Sequence, residues 1–275
     1  MQDFGPLMTN MQRTAQTLSN RALSALNDCE ETLGDLHLQR DRFLGFYTLE
    51  GLKTALTAYK IDSLLRVLGY ATWDLQWNLG DAQHCLQLWA DGQVFAELRA
   101  RLVDGIEDPS AQSFSRRFMP KLLHIDYFSL NHWRHVLEPS RLLPGQISAP
   151  TGQSRAFLVL TWLMAQRLKL HGLEQTPLYF HNAVIYREKN RFVDPVFEGQ
   201  FEACLELLPR VGLHRLSWAI ERRQLIDAQT GHFLRWTPHS QLYALSSDLK
   251  AYFLTHRWRS ARQKAKSACL PQLVD

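Results

Sequence analysis

The sequence predicts a mixed α/β (α+β) fold, with a largely antiparallel central sheet flanked by helices, and three observations carry that prediction. Three apolar runs between residues 72 and 103 follow one another across short turns, the pattern of consecutive antiparallel strands. Residues 122–195 read as strand, loop, long helix, strand, short helix and strand. Both ends of the chain carry apolar side chains at helical spacing. Such an order suits helices packed on a sheet. The expected division is a helical extension over residues 1–40, an α/β domain over 41–246, and a basic helix and tail over 247–275.

Taken in order, Leu7, Met8, Met11, Ala15, Leu18, Ala22, Ala25, Leu26 and Cys29 form one helical stripe, with Gly34 as the stop. The aromatic run at 40–48 reads as a short strand. Thr48 then opens a helix to Leu68, with Leu52, Leu56, Tyr59, Leu64 and Leu65 inward and Gly69 ending it. Trp73, Leu75, Trp77 and Leu79 alternate with Asp74, Gln76 and Asn78, a half-buried strand. A turn at Gly80-Asp81 leads to a second strand, and Ala90-Asp91-Gly92-Gln93 is a hairpin signal into a third. Residues 104–120 are polar with a proline near each end, a surface loop. Beyond the central stretch, 198–208 and 213–226 have helical periodicity, 232–245 holds one or two strands, and 247–266 closes as one helix capped by Ser247 and Asp248.

With 275 residues, 45% of them hydrophobic, the chain can bury a sizeable core. The net charge of +4 is spread along the chain, and Asp74, Gln76 and Asn78 interleave the tryptophans, so a nucleic-acid partner is not expected. Cys29, Cys85, Cys204 and Cys269 lie far apart with no CxxC pair, which fits a reducing, cytoplasmic setting. No signal peptide and no membrane-spanning run are read, so no membrane partner is expected. His132-x-x-His135 lacks the glutamate of a zinc-protease helix, and no nucleotide-loop or nucleophile-elbow motif occurs.

The loop before the long helix is the most ligand-like stretch. A helix N-terminus offers unpaired N–H groups and partial positive charge to a phosphate. Gly152 would let the backbone approach closely, Thr151 and Ser154 would add hydroxyl donors, and Arg155 would pair with the charge. The plain alternative is a well-capped helix start.

From 122 to 195 the order of elements resembles the core of the GNAT acyltransferase superfamily. There a central strand leads into a pyrophosphate-cradling loop and a long helix. A diverging strand, a short signature helix and a strand opening on Phe follow. Here 121–130 corresponds to the central strand, 149–154 to the loop, 156–173 to the helix and 176–182 to the second strand. Asn182 to Lys189 resembles the signature helix, and Arg191-Phe192-Val193-Asp194 the strand after it. Ala149 stands where the family has Gln or Arg, and Ala183 follows Asn182 directly. The resemblance implies an acetyl-CoA or other acyl-CoA co-substrate, its pyrophosphate on Thr151, Gly152, Gln153, Ser154 and Arg155. It implies Tyr186 as the proton donor to the departing thiolate. A base for the amine would come from His181, His124 or Asp126, the nearby candidates by sequence. The activity expected is acyl transfer to an amine of a small molecule or protein. The alternative is a fold without catalysis that serves as a protein-binding, assembly or regulatory module, partnered through its terminal helices.

Acyl-CoA at about 100 times its Kd should stabilise the chain by roughly 2.7 kcal/mol in a thermal-shift titration. Gly152→Glu, which sets a carboxylate against the pyrophosphate, should abolish that shift.

Overall fold

The computed structural model describes residues 5–24, 41–111, 118–148 and 154–274. The chain divides into two interleaved compact units: 1–102, 123–136 and 148–170 make the first, and 103–122, 137–147 and 171–275 the second. Seven strands form one sheet in the order β1-β2-β3-β4-β5-β8-β6, mostly antiparallel, and β7 pairs with β9 apart from it. No described helix is long and apolar enough to cross a membrane.

In the first unit, helices α1 (Gly5–Thr17) and α2 (Asn20–Ser24) replace the single N-terminal helix expected; 25–40 lie outside the described residues. The run at 40–48 is no strand. Phe43 and Tyr47 bridge across a tight turn in which Leu44 and Gly45 take φ of 52° and 69°. The helix expected over 49–68 is two, α3 (Leu49–Ala58) and α4 (Ile61–Val67), because Lys60 sits in the left-handed region at φ 59° and breaks the ladder. Thr48 caps α3 as expected, its hydroxyl accepting from the Gly51 amide at 3.0 Å. A side chain at Gly51 would overlap the Leu23 carbonyl, so the glycine lets α2 and α3 meet backbone to backbone.

Strands β1 (Trp73–Leu79), β2 (His84–Ala90) and β3 (Gln93–Asp104) pair antiparallel in sequence order, as the alternation predicts. Asp91 and Gly92 both have positive φ, 46° and 78°, the conformation of a two-residue primed turn. The Asp91 carboxylate accepts from the Thr72 and Ala71 amides and from Arg134, at 2.6 Å from its Nη2, which holds its pKa down at about 2. Strand β4 (Lys121–Leu130) is as expected, and helix α5 (Ser154–Arg167) stops short of residue 173.

In the second unit, strand β5 is Gly172–Gln175, earlier than the expected 176–182, and helix α6 is Phe180–Tyr186. His181 is therefore helical rather than on a strand. The buried Glu174 and Gln175 disguise the strand as a polar turn, and Pro177 ends it. Strand β6 is Arg191–Phe192. Helices α7 (Pro195–Leu205), α8 (Leu208–Val211) and α9 (Leu213–Glu221) follow, then β7 (Leu225–Asp227) and β8 (Gln241–Ala244). The closing helix is two, α10 (Ser247–Leu254) and α11 (His256–Ala268), with Ser246 and Thr255 as the caps. Strand β9 (Pro271–Leu273) ends the described chain. The segment at 104–120 is not wholly superficial, since Ile106, Asp108 and Ala111 are buried; 112–117 lie outside the described residues.

The basic C-terminal helix is not a solvated appendage. It lies against α7, where Arg262 pairs with Glu202 and Lys266 with Glu206, each at 2.9 Å. Trp258 is buried, and a side chain at Gly199 would overlap the Arg262 carbonyl. Phe180, Phe192, Phe197 and Phe201 pack around Trp236 with ring centres 5.3–6.0 Å from it.

Glu198, buried in α7, accepts from the Phe192 amide at 2.8 Å and lies 3.7 Å from Arg191, yet burial outweighs both and raises its pKa from 4.5 to about 7. A raised acid favours folding below its unfolded value. Its contribution therefore falls as pH rises from 4.5 to 7, by about 3 kcal/mol at roughly 1.4 kcal/mol per pH unit. Urea unfolding across that window should show the loss, and Glu198→Gln should remove it.

Candidate functional site: the polar interior around α6

Helix α6 is fixed before it begins. The Pro177 carbonyl accepts from the Trp236 indole at 3.1 Å, and Phe180, the first helical residue, packs on the same indole. Ala183 and Val184 join it on the apolar face. His181 is 4% exposed and stacks on Tyr179 with ring centres 5.6 Å apart and planes 15° from parallel. Burial lowers its pKa to about 4, so the ring is neutral at pH 7. One turn on, the Asn182 side chain hydrogen-bonds the Tyr186 phenol, but burial dominates and raises that phenol above 10. Tyr186 thus holds its proton throughout the neutral range.

Polar groups accumulate around this helix. The Asn190 amide donates to the Tyr186 carbonyl at 3.2 Å. Register places Gln175 opposite Gln241, and Gln241 opposite Phe192. Polar atoms of Gln175, His181, Asn182, Asn190 and Gln241 are buried with no hydrogen-bond partner among the described residues, His181 through Nδ1 and Asn182 through Oδ1. Interiors rarely leave such atoms unmade, which sets these positions on β5, α6 and β8, and Asn190 after α6, apart from the apolar core around them. Of the residues on α6, the sequence proposes His181 and Tyr186. It missed Gln175, Asn190 and Gln241, whose only signal is a polar residue where a strand should be apolar.

The structure assigns the other candidates to the first unit. His124 and Asp126 come together on β4, with Nε2 3.6 Å from Oδ1, and the same Oδ1 accepts from Arg101 Nε at 3.0 Å. Asp126 is therefore paired with Arg101 and lies beside His124. Ser154 and Arg155 open α5; Thr151, Gly152 and Gln153 lie outside the described residues. His132 hydrogen-bonds Tyr70 at 3.0 Å, and no three metal-ligating side chains come together among the described residues. The second unit also carries an open cleft of about 440 Å³ beside α9, walled by His214, Arg215, Trp218 and Arg222. Its geometry is held by the Leu142 carbonyl, which accepts from both His214 and Trp218.

Comparison with models of known protein families and with curated proteins finds no match.

The His181 ring, followed by NMR, should titrate near pH 4 rather than 6.5. A depressed histidine favours folding above its unfolded pKa. Its contribution is lost as pH falls from 6.5 towards 4, a slope that His181→Gln should erase.

Proposed function

We propose that this chain transfers an acyl group from an acyl-CoA to an amine. The observation that carries the reading is Tyr186, a buried phenol that bears its proton at neutral pH. It sits on the short helix that follows β4, α5 and β5 in the order the GNAT resemblance requires. The amine nitrogen attacks the thioester carbonyl, the carbon–sulfur bond breaks, and the thiolate takes the Tyr186 proton. The amine gives up its own proton to His181, whose Nδ1 makes no hydrogen bond among the described residues, although burial makes this ring a weaker base than a free imidazole. Gln175, Asn190 and Gln241 supply amide donors in the same interior, the kind of group that stabilises a developing oxyanion.

Thiol release should be followed with acetyl-CoA and longer acyl-CoAs against a panel of amines. Tyr186→Phe should lower kcat roughly 100-fold with KM little changed, the size of a lost proton donor. Absence of thiol release with every pair, or an unchanged kcat in Tyr186→Phe, would overturn the reading.

A further inference from the structure

Protein interiors seldom keep voids larger than a water molecule. The first unit has a partly open apolar pocket of about 100 Å³, between helices α1, α3 and α5 and one face of β1, β2 and β3. Its walls are largely hydrocarbon, with Leu56 from α3, Leu88 and Ala96 from the sheet, and Phe157 and Met164 from α5; Glu97, which accepts from Gln87 and Arg99, and Thr161 also border it. The volume is of the order of engineered apolar cavities that stay dry and take up small hydrocarbons. An apolar lining left without facing atoms forfeits dispersion contacts, and an apolar guest restores them.

Shape and polarity narrow the guest. The α5 residues on the wall run from Phe157 to Arg167, about 15 Å along the helix axis, so the lining is long rather than round. Polar groups gather towards the α5 C-terminus, where Arg167 joins Tyr47 and Tyr59 of the lining. We propose that this cavity binds one unbranched alkyl chain, its polar end towards Arg167 and its methyl end among Phe157, Leu88 and Ala96. The inference stands apart from acyl transfer, because free alkyl ligands without CoA are sufficient to test it.

Isothermal titration of the full chain with octanoate and octan-1-ol, with benzene as a compact control, is the experiment. Saturable binding of the octyl ligands, tighter than benzene, is expected. Ala96→Leu and Ala55→Leu fill the cavity from opposite walls and should each weaken octyl binding at least about tenfold. Their ligand-free melting points should stay level or rise, as they do when a true void is filled. No saturable octyl binding, benzene binding at least as tightly, or octyl binding unchanged in both folded variants would overturn the proposal.

Discussion

Arg167 ends α5 with its guanidinium turned towards backbone. It donates to the Ala15 carbonyl at 2.6 Å, the Leu18 carbonyl at 2.8 Å and Asn20 Oδ1 at 3.1 Å. Those carbonyls lie where α1 ends, a point at which a helix has acceptors to spare and a partial negative charge. One cation thereby satisfies the end of α1, fixes the corner into α2 and joins both to α5. Ala15, Leu18 and Leu23, all from that corner region, help to wall the apolar cavity, so the cavity exists because the corner is held. Leu23 passes the constraint on, since its carbonyl accepts from both the Thr48 amide and hydroxyl at the cap of α3.

A single carbonyl plays a similar part in the second unit. Val193, just past β6, accepts from Tyr252 of α10 and from Trp258 of α11, each at 3.1 Å. Two rings from consecutive helices thus converge on one backbone oxygen, and Val193 itself is buried with Leu242 and Leu249. The break between those helices at Thr255 is what allows both rings to reach it. With α11 then pressed on Gly199, the two faces of α7 are occupied, one by the aromatic cluster around Trp236 and the other by α11.

Much of this was legible in the sequence. The alternation of Trp73, Leu75, Trp77 and Leu79, the Asp91-Gly92 turn, β4 and the long α5 follow from periodicity and turn chemistry. The helix breaks were not, because a left-handed lysine at position 60 leaves no mark that distinguishes it from any other lysine in a helical pattern. Strand β5 was misplaced because Glu174 and Gln175 are buried, and polarity argues for a turn unless tertiary context is known. The candidate site shares that difficulty. Tyr186 and His181 are candidates through a resemblance of order, whereas the buried amides of Asn190 and Gln241 emerge only when register and burial are seen. Asp126 proves exposed on β4 and paired with Arg101, an environment that its position in an apolar strand does not reveal.

The pairing of β7 with β9 has a consequence for how the chain is made. Leu225 lies opposite Leu273, and Asp227 accepts from the Leu270 amide at 3.0 Å, so an early strand waits for one more than forty residues later. The first unit likewise lacks α5 until residue 167 is present. During synthesis on the ribosome, neither unit can complete its contacts in the order its residues appear. The face of α7 that bears Gly199, Glu202 and Glu206 would stay uncovered until α11 has emerged, which makes nascent chains of intermediate length incompletely packed species.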